Sequence, residues 1–441
     1  MNRVIGLVIA ILLTLKLSSQ NNFSAFNLKI DSLSNSSLLV NSAESTKDNI
    51  SQVDFNNLSL KAYGVVNYYN YNWETDPEIR DAVDLERINY YMKYDFTDKI
   101  SLKTEFEFEH CGSGVTMEFD KFEEFGEFES EIEAGGEVLI EQLNLLFNIK
   151  PWLNIRAGRL KLYLGISSKL DEATEYFTGY RSTMENTLLP LGWYEVGIEI
   201  LGDLGKKKKW SYKAYLVNGL SSAGFSSGNW IKRGHQKRFE TANAENFAFA
   251  GRFDYNLNNG GWIGVSGYHG NSNDNRPKPD LEDVEGYVSI VDIHANINQG
   301  PFKFHAMAMY GHLQNASLIS EANRNLSNNL NVKRTPVASE VVGCFVETGA
   351  DIFSIFNINN TNMLYLFSRY DYYDSMYAVS EDIFNNPRWE RETWTFGINY
   401  FPHPNVVIKS HYAFRTLGID EDNKENTFLL GVGFRFKTKN Y

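Results

Sequence analysis

From Leu58 onward, stretches of 9 to 15 residues alternate apolar with polar side chains, and the links between them alternate short with long. Period-two alternation is the pattern of a strand with one apolar and one polar face. Sixteen such stretches start near residues 58, 83, 100, 138, 152, 193, 209, 246, 262, 286, 302, 338, 363, 392, 406 and 427. The links TDK, NIKP, GDLGKKK, NNGG, NQGP, NINNTN and PHPN are short, whereas 111–136, 163–192, 219–245, 270–285, 315–337 and 378–391 are long. A soluble sandwich has no reason to sort its links by length onto opposite ends. An outer-membrane barrel does, with an even strand number, short periplasmic turns and longer outer loops. In hydrocarbon a sheet can span only by closing, because every backbone donor and acceptor must be paired internally. The predicted fold is all-β, a transmembrane antiparallel β-barrel of about 16 strands.

The stretch ISLKTEFEFEH, residues 100–110, shows what such a wall needs. Ile100, Leu102, Thr104, Phe106 and Phe108 share one side, and Ser101, Lys103, Glu105, Glu107 and Glu109 share the other. If TDK closes a hairpin, Tyr94 faces Leu102, Tyr90 faces Phe106, Lys93 faces Lys103 and Arg87 faces Glu109. In the hairpin closed by NQGP, Ile297 falls by Phe302 and Ala295 by Phe304, which sets His294 opposite His305 with Asp292 one step away. Each hairpin then has one apolar and one mixed face. A row of carboxylates in a dry core would cost several kcal/mol each, so the charged rows are expected to line enclosed water and the apolar rows to face lipid. Sixteen strands enclose an aqueous lumen. The last strand, FLLGVGFRF, sends Phe428, Leu430, Val432, Phe434 and Phe436 outward and Arg435 inward.

Composition agrees with strands: 30 Phe, 25 Tyr and 8 Trp stand against 10 Pro, and aromatics suit a pleated, half-buried surface. A net charge of −13 opposes a nucleic-acid partner, which needs a basic surface. The start, MNRVIGLVIAILLTLKLSSQNNFSA, places Arg3 before an uncharged, mostly apolar run from Val4 to Leu15. This is the layout of an export signal, and the run is shorter than the roughly 20 residues of a spanning helix. Residues 1–20 are read as the signal, the Ser- and Asn-rich 21–57 as a flexible leader, and 58–441 as the barrel. The address this implies is the bacterial outer membrane, with bilayer lipid and surface glycolipid as neighbours. Two cysteines, Cys111 and Cys344, make no disulfide framework.

Residues 153–202, LNIRAGRLKLYLGISSKLDEATEYFTGYRSTMENTLLPLGWYEVGIEILG, resemble the phosphate-selective porins O and P. Arg156, Gly158 and Gly165 fill the first strand of that pattern, Arg181 its long loop, and Pro190, Gly197 and Gly202 the second strand. Tyr163 and Leu164 stand where members commonly carry a Pro. The resemblance implies a passive channel, an anion or phosphate preference and assembly as a homotrimer.

The candidate pore-lining residues are Arg87, Lys93, Lys103, Glu105, Glu107, Glu109, Arg156, Lys161, Arg181, Lys303, Arg369, Lys409, Arg415 and Arg435. The loop 163–192 is expected to fold into the barrel or to stand outside it. Folded inward, it would bring Lys161, Lys169, Asp171, Glu172, Glu175, Arg181 and Glu185 to a constriction, where rings of charge set ion preference. Residues 111–135 are dense in Glu and Phe, either a solvated loop or a site where hard cations bridge carboxylates to glycolipid phosphates. His294, His305 and Asp292 are a weak transition-metal candidate beside Met307 and Met309, which fit a packed wall. No catalytic triad spacing, phosphate loop or zinc cluster is present, and no cofactor is called for. The functional expectation is a non-enzymatic diffusion channel for ions and small hydrophilic solutes. The alternatives are an outer-membrane enzyme, or a receptor or adhesin using the acidic loop.

Overall fold

The computed structural model describes residues 54–110, 116–119, 130–133, 138–190, 192–236, 241–326, 334–358 and 361–438. The expected signal and nearly all of the leader, Cys111 and most of the acidic loop lie outside the described residues. Within that loop, Thr116–Phe119 and Ser130–Glu133 pair as a small separate hairpin.

The barrel strands are β1 (Leu58–Trp73), β2 (Ala82–Thr97), β3 (Ile100–Glu109), β4 (Val138–Lys150), β5 (Leu153–Lys161), β6 (Tyr194–Leu204), β7 (Trp210–Asn218) and β8 (Phe247–Asn256). The second half is β9 (Trp262–Asn271), β10 (Tyr287–Gln299), β11 (Phe302–Leu313), β12 (Glu340–Asp351), β13 (Met363–Ala378), β14 (Glu390–His403), β15 (Val406–Leu417) and β16 (Lys424–Lys437). Each pairs antiparallel with its neighbours in sequence, and β1 closes on β16 from Lys61↔Lys437 to Trp73↔Glu425. All sixteen are where alternation predicts them, each with an outward apolar face, and closure leaves no edge strand.

The β2–β3 register is the predicted one, with Tyr94↔Leu102, Tyr90↔Phe106, Lys93↔Lys103 and Arg87↔Glu109. The β10–β11 register is not. Gln299 pairs with Phe302, so Ile297 faces Phe304, Ala295 faces Ala306, and His294 faces Met307 rather than His305. Gly300, at φ +56°, allows a two-residue turn of Gly300 and Pro301, the short hairpin that takes Gly at its first central position. The slip is two residues, so it changes partners without changing faces.

The outward face is apolar and exposed around the ring: Phe106, Ile140, Ile198, Leu216, Phe249, Val265, Ile293, Val346, Trp394, Phe396, Leu430 and Phe436. The interior divides in two. Behind β7–β13, apolar side chains of the outer loops, among them Leu220, Phe225, Trp230, Ile231 and Ile319, pack against the inward Val288, Met307, Met309, Val341 and Phe345. The remaining interior is polar and charged.

Candidate functional site in the barrel lumen

The chain leaves β5 at Lys161 and returns to β6 at Tyr194, and between them it crosses the lumen. The Leu162 N–H donates to the Trp193 carbonyl at 2.8 Å, clasping the two ends. Leu162, Leu164, Ile166, Leu188 and Leu189 then join the interior apolar core, which explains why a loop this long turns inward rather than into solvent. Gly165 makes the turn. Its φ is +67°, and a Cβ there would lie 2.2 Å from a Glu185 carboxylate oxygen. The Gly165 N–H donates to Ser266 Oγ at 3.0 Å, and its carbonyl accepts from Arg252 at 2.5 Å. A single helical turn, α1 (Thr183–Leu188), is capped by Ser182, whose hydroxyl donates to Asp371 at 2.8 Å. The Glu185 carboxylate accepts the N–H groups of Ile166 and Ser167 at 2.9 and 3.1 Å, tying the two limbs of the loop together.

The far side of the loop is fastened to the opposite wall. The Phe177 ring stacks on Phe367 and lies beside Tyr365 and His305. Asn399 donates to the Phe177 carbonyl, Lys409 donates to the carbonyls of Tyr176 and Thr178 at 2.7 Å, and the Gly179 N–H donates to His411 Nε2 at 2.9 Å. Asn67 of β1 donates to the Gly179 carbonyl. The loop is thereby held by strands on both sides of the barrel, the inward of its two expected courses.

Ion pairs surround it. Asp171 takes Lys161 and Arg181, each at 2.6 Å, and the Tyr63 hydroxyl at 3.1 Å. Arg435 and Lys61 both pair with Glu172. Glu347 takes Arg369 at 2.5 Å and His305 at 2.8 Å, and Asp254 takes Arg252, Lys169 and His294. Buried pairs of this kind contribute little net stability; here they fix where the loop lies. Burial, with the Glu172 carboxylate beside it, pushes the Glu175 carboxyl up to about 7.

Toward the short-turn end, the loop roofs a cavity of about 400 Å³. Its walls carry Lys61, Lys103, Lys161, Lys169, Lys213 and Arg252 against Asp171, Glu172, Glu175 and Asp254, with Tyr91, Tyr163 and Gln142 between them. Six cations stand against four carboxylates there, so the mouth of the constriction is basic although the chain is acidic overall.

The predicted pore residues all point inward and divide by role. Lys103 and Lys161 line the cavity, Arg156 pairs with Glu199, and Lys303 lies 4.9 Å from the Tyr365 ring centre. Arg87, Arg181, Arg369, Lys409 and Arg435 grip the loop or its supports. Lys93 pairs with Asp95, and Arg415 with Glu425. Glu105 and Glu107, expected against open water, are buried instead, with Asn89 donating to both and Gln142 to Glu105. A bulge at Glu105/Phe106 turns both Glu141 and Gln142 inward beside them, and Glu109 is half-buried at the strand end. His294 sits between Asp292 at 2.6 Å and Asp254 at 2.9 Å, and His305 binds Glu347, so the two imidazoles serve separate carboxylates. Sequence reasoning passed over Lys61, Lys213, Arg252 and Asp254. Each sits at the inward parity of its strand, the signal that would have found it.

No protein-family model matches the chain. An uncharacterised protein of Aquifex aeolicus is 28% identical over 371 residues, covering 83% of this chain and 77% of that one. Among solved structures, an anion-selective porin from Comamonas acidovorans superposes with a TM-score of 0.52 at 10% identity, over 86% of this chain and 99% of that one. The outer membrane channel DcaP of Acinetobacter baumannii gives 0.50 at 13% identity, over 86% and 96%. At such identities the likeness is one of fold. The chain has the 16-stranded transmembrane β-barrel fold of porins.

Proposed function

We propose that this chain is a diffusion porin of the bacterial outer membrane, passing ions and small hydrophilic solutes through a constriction formed by the loop 162–193, with a preference for anions. The observation that carries the reading is the inward loop itself. It is pinned to opposite walls and leaves a charged cavity beneath it, an arrangement that shapes a passage and that a purely structural barrel has no need of. The excess of lysine and arginine around the cavity supports anion preference, as does the resemblance of residues 153–202 to porins O and P. An apolar exterior fits lipid contact, and the address fits the export signal read in the sequence. Homotrimer assembly follows from the same resemblance, and chemical cross-linking in mild detergent tests it.

Planar-bilayer recording tests the function. The purified barrel is expected to give stepwise ohmic conductance and, in a KCl gradient, a reversal potential on the anion side. The double variant Lys103→Glu with Lys213→Glu should move it to the cation side. A silent barrel that hydrolyses lipid, or one that only binds a surface ligand, would replace the channel reading with an enzyme or receptor.

A further inference from the structure

A passage through the lumen makes no use of the run Lys206, Lys207, Lys208 and Lys209 in the β6–β7 turn. That turn is one of three consecutive around the short-turn rim, with β2–β3 and β4–β5, and the other two add Lys99 and Lys150. Lys209 is half-buried and the other five lysines are exposed. The remaining short turns, 257–261, 300–301, 352–362 and 404–405, contain no lysine or arginine, so positive charge is gathered on one sector of the rim. Acidic residues do not cancel it. Asp98 is the one carboxylate within the three turns, and Asp203 of β6 takes Lys208 at 3.4 Å. Links kept only for solubility would carry both signs interspersed and need no sorting around a rim.

The same sector carries aromatic rings on the outside of the wall. Lys150 Nζ lies 5.7 Å from the ring centre of Trp152, and Lys209 Nζ lies 5.4 Å from that of Tyr255. Trp210, the residue after the lysine run, is exposed on the outward face and stacks on Phe253 at 5.1 Å and against Tyr255 at 4.6 Å. The Tyr212 hydroxyl donates to the Trp152 carbonyl at 2.8 Å, which joins the β4–β5 turn to β7. Outward Trp and Tyr at the end of a spanning strand mark the level of the lipid headgroups, so ammonium groups packed on these rings stand at that level and outside the lumen. The backbone adds a second sign. Lys207 and Lys208 hold φ of +64° and +53°, a left-handed conformation that Gly and Asn take more readily, and lysine occupies both positions against that local preference.

We propose that this sector of the rim is a docking surface for the headgroups of anionic phospholipids in the leaflet it faces. A lysine offers a phosphodiester a point charge on a flexible stem, and the stem can lie along an apolar ring while the ammonium reaches the phosphate. A cluster of roughly four to eight basic residues at the edge of a membrane-embedded wall attracts acidic lipid, each strengthening the attraction about fivefold. A zwitterionic headgroup brings no net charge to such a cluster. A small soluble anion finds its cations in the cavity beneath the loop, not on the outer side of the turns. The inference requires that the barrel lie in a membrane and is independent of what it conducts.

Native mass spectrometry of the detergent-solubilised barrel, given equal amounts of phosphatidylglycerol and phosphatidylcholine with matched acyl chains, tests it. Phosphatidylglycerol should be retained at least about fivefold over phosphatidylcholine at low ionic strength, and the ratio should fall at high ionic strength. Lys206→Gln, Lys207→Gln, Lys208→Gln and Lys209→Gln combined should bring the ratio close to one. The same four positions changed to Arg should keep it, and Lys278→Gln, in a long loop at the other end of the barrel, should leave it unchanged. Heat-modifiable gel mobility confirms that each variant is folded, and Lys99→Gln with Lys150→Gln and Lys207→Gln stands in if the fourfold Gln variant is not. Equal retention of the two lipids by the native barrel, or an undiminished ratio in the Gln variant, would overturn the docking surface. So would sedimentation with peptidoglycan sacculi in the absence of a lipid preference, which would give the lysines a polymer partner instead. A barrel that conducts but shows no lipid preference loses the docking surface alone; a silent barrel that keeps the preference loses the channel reading alone.

Discussion

Lys409 is fully buried, yet its ammonium donates to two backbone carbonyls of the loop, at Tyr176 and Thr178, rather than to a carboxylate. Replacing it with Met leaves both carbonyls without that donor, at a cost of about 1–3 kcal/mol each. Denaturant titration of Lys409→Met should show the loss, and single-channel records should show larger open-state current fluctuations as the loop loosens. Glu175 gives a pH prediction with a definite sign. With its carboxyl raised to about 7 by burial and by Glu172, it is mostly charged at pH 8 and mostly neutral at pH 6. Falling pH therefore removes negative charge from the basic cavity, and anion preference in reversal-potential measurements should rise from pH 8 to 6. In Glu175→Gln the rise over the same scan should be smaller. Inward parity made Lys409 legible in the sequence as a lumen residue, but its role was not, because a loop contacting it lies 231 positions away. The same limit applies to Glu105 and Glu107, whose alternation gave their face correctly while their burial depended on Asn89 and on Gln142, which sits at a bulge no periodicity reveals.

At the scale of elements, strands were legible and loops were not. Each strand repeats one signal over many residues, whereas the path of the segment 162–193 is decided by scattered contacts with non-adjacent strands. The turn at Gly300 shows how local chemistry corrects a register: alternation alone fits either pairing, and the positive φ available to glycine selects the shorter turn. The apolar packing behind β7–β13 was invisible for a related reason. Trp230 comes from an outer loop, lies fully buried and covers Gly311 of β11, where a Cβ would sit 2.2 Å from the indole. Trp230→Ala should cost about 3–5 kcal/mol, the range for large-to-small changes in a packed core. Its thermal unfolding midpoint, followed by tryptophan fluorescence or circular dichroism, should fall accordingly.

For the whole molecule, the two faces of the wall govern everything else. Closure from β1 to β16 pairs the backbone without an edge, and the apolar rows then require a lipid or detergent surround. Phe106→Arg, on the outward face, should reduce folding stability in bilayers by up to about 2–4 kcal/mol if it sits near the midplane. The most direct measurement is thiol modification during bilayer recording. In a background with both native cysteines replaced by Ser, a cysteine at Lys213, in the cavity wall, is compared with one at Ile198, on the exposed outward face. A charged, membrane-impermeant methanethiosulfonate should change the current in steps at position 213 and leave it untouched at 198. The reverse pattern, or no change at 213, would contradict a passage through the cavity beneath the loop.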